Sequence, residues 1–203
     1  MSDKLKILAA SDVHGDSKQY KKLAELAEKE KVDLVVLCGD ITGWTESKGI
    51  IKPFKDKHKQ VLIIPGNWDS FATTDFLANL YGVKNIHGYS VAYKNVGFFG
   101  AGGTENSIGP GQTSEKEIFE TLKRAHKGIE GIEKKIMVTH EHPRDSKSEF
   151  GGVSGSKAIR RAIKEFKPDL LIHGHIHEAA GANEEIEGTR VINVGREGCL
   201  IEI

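Results

Sequence analysis

Cysteine is nearly absent: Cys38 and Cys199 are the only two in 203 residues, too few for a disulfide framework. Each lies in an apolar, strand-like stretch, so both read as small buried residues. Long apolar runs are missing as well. Leu34-Val35-Val36-Leu37-Cys38 and Val61-Leu62-Ile63-Ile64 fall far short of the roughly 20 residues that a membrane span needs. The apolar stretch near the N-terminus, Ile7 to Ala10, is shorter than the core of about 7–15 residues in a signal peptide. Net charge is lacking too, because 29 Lys and Arg balance 29 Asp and Glu. A neutral chain has no field to gather a polyanion, which argues against long nucleic acid as substrate or partner. We therefore expect a cytoplasmic protein with no membrane segment. Homo-oligomer formation stays open.

No stretch reads as a linker, a repeat or a low-complexity tract, so residues 1–203 are expected to form one domain. Leu5 to Ala9 reads as a strand. Tyr20, Leu23, Ala24 and Ala27 have the spacing of one helix face. Leu34–Leu37 and Val61–Ile64 read as strands buried on both faces. Helices are expected over 45–57 and over Phe71–Tyr81. Ser90–Tyr93 and Val96–Phe99 then suggest a hairpin. Beyond a glycine-rich stretch from Gly100 to Gly111, a helix spans about Ser114–Lys127 and a strand Ile136–Val138. Ala158, Ile159, Ala162, Ile163 and Phe166 mark another helix face. Asp169–Ile172 and three short segments, 178–187, 189–194 and 198–203, complete the strands. Parallel units first and hairpins later point to an α/β protein with mixed sheets. Periodicity alone does not choose between two packed sheets and one large one.

Five of the apolar runs stop abruptly at residues that bind metals. Ile7–Ala10 leads to Asp12-Val13-His14, and Leu34–Cys38 to Gly39-Asp40. Val61–Pro65 leads to Gly66-Asn67-Trp68-Asp69, Ile136–Val138 to His140, and Leu170–Ile172 to His173-Gly174-His175-Ile176-His177. Sites in α/β sheets form outside the carboxyl ends of strands, so these side chains should gather at one edge. The donors are carboxylate, amide and imidazole without thiolate, which suits Mn, Fe, Ni or Zn rather than a cysteine-rich structural zinc. In extended chain, Asp-x-His and His-x-His would put both side chains on one side. Gly39 lets the backbone come close where Asp40 follows. Seven donors suit two ions better than one.

Taken together and in order, Asp12-x-His14, Gly39-Asp40, Gly66-Asn67-x-Asp69, His140 and Gly174-His175-x-His177 resemble the motifs of calcineurin-like metallophosphoesterases. The resemblance implies two packed mixed β-sheets flanked by helices. It also implies two divalent metal ions: one held by Asp12, His14 and His177, the other by Asn67, His140 and His175, with Asp40 bridging. Such ions sit about 3.5–4 Å apart and supply a metal-bound hydroxide for attack on phosphorus. Asp40, Asn67 and His140 then carry catalysis through the ions. The implied activity is a phosphoesterase, most simply a phosphodiesterase, acting on a small soluble phosphoester.

One position departs from that family. Most active members have His where this chain has Trp68, and an indole cannot donate a titratable proton. General acid help contributes about 10²–10⁴-fold, so poor leaving groups should suffer most. The alternative is a metal-binding scaffold acting through protein partners, a fate shown by a retromer subunit that resembles the family and also lacks this His. The complete ligand set favours the enzyme. Packing is the favoured role for Trp68 over stacking on a substrate ring. Asp69 is expected to orient the site without binding metal, His173 to be a core residue, and Arg144 to be a solvated loop arginine rather than a phosphate contact. The glycines of 100–111 are read as flexible turn. Asn193-Val194-Gly195 is placed near the same edge without an assigned role, and His58, His87 and His126 at the surface.

Overall fold

The computed structural model describes residues 4–43, 49–105 and 107–203. Its elements run β1 (Lys6–Ala10), α1 (Ser17–Lys29), β2 (Leu34–Cys38), α2 (Lys52–Asp56), β3 (Gln60–Ile64), α3 (Phe71–Tyr81) and β4 (Lys84–Asn85). There follow β5 (Ser90–Tyr93), β6 (Val96–Ala101), α4 (Glu115–Lys127), β7 (Lys134–Thr139), α5 (Lys157–Phe166), β8 (Leu170–His173), β9 (Asn183–Ile186), β10 (Thr189–Asn193) and β11 (Cys199–Glu202). The strands form two sheets, in the orders β11-β1-β2-β3-β4 and β5-β6-β7-β8-β10-β9. Both are mixed. β1, β2, β3 and β4 pair in parallel while β11 runs antiparallel to β1. In the other sheet β6, β7, β8 and β10 are parallel, and β5 and β9 are antiparallel edges.

The period of two explains the four layers. Ile7, Ala9, Leu34, Val36, Leu62 and Ile64 of the first sheet meet Phe98, Ile136, Val138, Leu170 and Ile172 of the second. The intervening residues face outward. Leu8, Val35, Leu37 and Ile63 pack on Tyr20, Leu23, Ala24 and Phe54, under the first helices. Phe99, Met137, Leu171 and Val191 pack on Ile118, Leu122, Ile159 and Ile163 of α4 and α5. Each strand is therefore apolar on both faces, and burying one such aliphatic side chain contributes about 1.5–3 kcal/mol. Four helices are fixed at their starts: Asp16 caps α1, Ser70 caps α3, Ser114 and Glu117 form a capping box on α4, and Ser156 caps α5.

Several sequence expectations need correcting. The helix expected over 45–57 is the short α2, Lys52–Asp56, and positions 45–48 lie outside the described residues. The strand expected from 178 begins at Asn183, because a single 3₁₀ turn, His177–Ala179, precedes it. Cys38 is buried but Cys199 is half-exposed: it shares the inward face of β11 with the buried Ile201 but stands at the first residue of that edge strand. His87 and His126 are half-buried rather than superficial. His126 stacks on Phe166 at 4.7 Å, and His87 accepts the Gly102 N–H at 3.0 Å. Among the described residues, no helix is long and apolar enough to cross a membrane.

Candidate metal centre

The carboxyl ends of the central strands of both sheets meet at one end of the sandwich. The loop after β1 is laced to the loop after β2 by backbone hydrogen bonds. Asp12 N–H donates to Gly39 O (3.1 Å), His14 N–H to Asp40 O (2.9 Å) and Gly15 N–H to Ile41 O (3.0 Å). Ser11, which the sequence did not single out, donates its hydroxyl to Cys38 O at 2.9 Å and its N–H to Gly195 O at 2.9 Å. The expected extended alternation of Asp12-x-His14 and His175-x-His177 is not what aims these side chains. Asp12 (φ 59°), His14 (φ 49°), Asp40 (φ 49°) and His175 (φ 74°) are all left-handed, and His177 opens the 3₁₀ turn. Left-handed backbone costs a non-glycine residue roughly 1–2 kcal/mol, which the packed loops must hold in place. Glycine is required beside them. A Cβ on Gly39 would lie 2.5 Å from His140 Nδ1 and 2.7 Å from Gly66 Cα, and one on Gly66 would overlap the Asp40 carboxylate.

Two donor trios result. Asp12, Asp40 and His140 are all buried, and their ligand atoms lie within 4.8 Å of one another. His140 Nε2 stands 3.5 Å from Asp40 Oδ2, 4.0 Å from Asp12 Oδ1 and 3.0 Å from Asn67 Oδ1. Its Nδ1 lies 2.8 Å from the carbonyl of Cys38, which can only accept, so Nδ1 carries a proton and Nε2 faces the carboxylates. The second trio is Asp12, His14 and His177, and it opens to solvent. His177 Nε2 is 3.5 Å from Asp12 Oδ1, His14 Nε2 is 3.6 Å from Asp40 Oδ2, and the two Nε2 atoms are 3.4 Å apart. His175 belongs to neither trio. Its ring packs edge-on to that of His140 at 5.2 Å, and its N–H donates to Asp12 at 3.0 Å.

The charges show what the place lacks. Burial would push His140 toward neutrality, but the Asp40 and Asp12 carboxylates outweigh it and raise it to about 10. Burial likewise opposes the Asp12 charge, yet His177 and His140 hold it at about 2. Two buried carboxylates side by side thus recruit a proton as their counter-charge. A divalent ion can replace that proton. Ligand atoms around an ion at about 2.0–2.2 Å sit roughly 3–4 Å apart, which the donor set here matches. The residues present therefore fit metal.

Around the trios the backbone is tightly held. Asp69, fully buried, accepts from Ile41 N (3.0 Å), Thr42 N (2.8 Å), Thr42 Oγ1 (2.7 Å) and Gly66 N (2.9 Å), and so ties the β2 loop to the β3 loop. Asp40 Oδ1 accepts the Trp68 N–H at 2.9 Å. Asn193 Nδ2 donates to Ile176 O at 2.9 Å, steadying the histidine loop. His173 is buried beside Ser148, and Arg144 lies 3.7 Å from Glu149. Glu141 was overlooked. It is buried next to His140, and burial pushes its carboxyl up to about 7. The only sequence signal for it was its place beside His140. The glycines of 102–111 are not loose turn either. Gly103 N–H donates to Pro65 O (3.0 Å) and Gly111 N–H to Asn67 O (3.0 Å), and a Cβ at Gly102, Gly109 or Gly111 would overlap the Pro65–Asn67 backbone. This loop needs glycine for close approach, not for flexibility.

Solved structures share the fold at low sequence identity. A Thermus thermophilus protein is 18% identical with a TM-score of 0.77, over 96% of this chain and 91% of that one. An archaeal phosphodiesterase is 20% identical with a TM-score of 0.57, over 98% and 99%. A dimetal phosphatase from Danio rerio is 13% identical with a TM-score of 0.62, over 95% and 88%. At such identities the likeness speaks for the fold alone. No curated protein matches the chain in sequence. A sequence model of the calcineurin-like phosphoesterase superfamily domain matches residues 5–199, from the first strand to the last. On that match the chain belongs to the calcineurin-like phosphoesterase superfamily.

Proposed function

We propose that residues 1–203 act as one metal-dependent phosphodiesterase domain whose substrate is a small soluble phosphoester. The observation that carries this is the pair of trios sharing Asp12, with Asp40 lying between the buried His140 and the open His14. Asp12, His14 and His177 would hold one divalent ion, and Asn67, His140 and His175 the other, with Asp40 on both. When bound, such ions lower the pKa of water toward neutrality and neutralise charge developing on a phosphate.

The chain's own groups supply the rest. Asp69 and the Trp68 N–H fix the Asn67 turn and the Asp40 rotamer. His140 Nδ1 is anchored on Cys38 O, which aims Nε2 inward. Trp68 offers no titratable proton, so esters with good leaving groups are the expected substrates.

The test is hydrolysis of bis-(p-nitrophenyl) phosphate by metal-stripped protein, with Mn, Ni, Zn, Mg or nothing added back. We expect turnover to return with metal and to be absent in Asp40→Ala. Unchanged turnover in Asp40→Ala would refute the site assignment. Metal binding without turnover of nitrophenyl mono- or diesters would turn the reading to a metal-binding scaffold.

A further inference from the structure

Beside the open trio lies a cavity of about 340 Å³ whose lining includes His14, Thr42, Trp68, Ile108 and Pro110. We propose that it seats a planar, uncharged ring of the substrate, so that the substrate class is an aromatic phosphoester, phenolic or nucleoside. This rests on the phosphoesterase reading above and narrows it.

Four observations support it. The first is position, since His14 is both a wall of the cavity and a member of the open trio, so an ester held at the trio reaches the cavity directly. Next, the walls have little to offer a charge. Among the described residues, no lysine, arginine, aspartate or glutamate lines the cavity, and the Thr42 hydroxyl already donates to Asp69 at 2.7 Å. The third is size. A cavity of ~150 Å³ lined by aliphatic and aromatic groups is enough for benzene, and this one is larger. A second cavity at the trios, near Asp12, His177 and Arg196, is about 90 Å³ and has a guanidinium in its wall, so it suits no ring.

The fourth observation is that the apolar wall is held rigidly in the open. Ile108 is 87% exposed. Asn67 Nδ2 donates to Ile108 O at 3.4 Å, Gly111 N–H to Asn67 O at 3.0 Å, and Gln112 N–H to Gly109 O at 3.3 Å. The segment is thereby tied to the same turn that carries Trp68. An isoleucine fixed by its backbone yet left in water gains when a ring covers it.

Calorimetry on metal-loaded protein tests this with ligands that cannot turn over. Phenylphosphonate and methylphosphonate carry the same acid and differ by the ring. We expect phenylphosphonate to bind about tenfold tighter, as burial of one aromatic face implies. In Trp68→Ala and in Ile108→Ser the ratio should fall toward one while methylphosphonate affinity holds. Ile108→Ser alters an exposed side chain, so its result does not depend on refolding. Thymidine 5′-phosphate against ribose 5-phosphate makes the same comparison with the ring a sugar away. A larger ratio in this pair assigns a nucleoside ester, and a larger one in the phosphonate pair a phenolic ester. No ring advantage in either pair, or a ratio untouched by both variants, overturns the inference while leaving the phosphoesterase reading intact. Failure of methylphosphonate itself to bind would overturn both.

Discussion

The two trios share Asp12 but sit in different media. Asp12, Asp40 and His140 are buried in the loops at the end of the sandwich, each at most 3% exposed, whereas the His14 and His177 side chains are 32% and 58% exposed. The buried trio is assembled across the sandwich, its carboxylates from the loops after β1 and β2 and its imidazole from the loop after β7. Neither sheet holds that trio alone. It exists only once the Ile7–Val36–Val138 core has closed, and its charges, out of water, interact more strongly than exposed ones do. The open trio keeps solvent access. On the proposed reading, one ion is held tightly by the fold and the other sits where substrate arrives.

A comparison of histidines shows that burial alone does not set the charge. His140 is held charged up to about 10 by two carboxylates. His87, on the rim of the glycine loop, is pushed down to about 4 by burial and by Arg124. The neighbours decide which way a buried imidazole moves.

The largest effect should come from removing the tie beneath the buried trio. Asp69→Ala leaves the amides of Ile41, Thr42 and Gly66 without their acceptor. We expect a loss of about 4 kcal/mol in urea unfolding. Ion affinity at the buried trio should fall about 10–100-fold, with the His14–His177 side less affected. Equal weakening of both trios would erase the contrast drawn here. A smaller effect concerns His87. Its folded pKa lies below its unfolded value of 6.5, so the unfolded chain takes up the proton first. Stability from this group is therefore lost as pH falls from about 6.5 to about 4. His87→Asn, whose amide oxygen can still accept the Gly102 N–H, should lose about 2 kcal/mol less than the parent between pH 7 and 4.5. Parallel losses in the two proteins would show that His87 is not held neutral by its surroundings.

The fold was legible where strands are apolar on both faces, as at Leu34–Cys38 and Val61–Ile64, because no other element buries so short a run on two sides. β4 was missed because Lys84-Asn85 pairs through backbone alone and leaves no apolar pattern. The donors could be named from the sequence, since residue type and strand-end position are local facts. Their aim could not be. Left-handed backbone at Asp12, His14, Asp40 and His175 is imposed by loops far apart in the chain, and those loops meet only in the folded state. The lacing of Gly103 and Gly111 to Pro65 and Asn67 was hidden for the same reason, as glycine signals either freedom or close approach and only the neighbour tells which.

The most direct test of the account is a calorimetric titration of Mn into metal-stripped protein, repeated on His140→Ala and His177→Ala. The account predicts two ions per chain of unequal affinity, the tighter lost in His140→Ala and the weaker in His177→Ala. A single ion per chain, or the same loss in both variants, would contradict it.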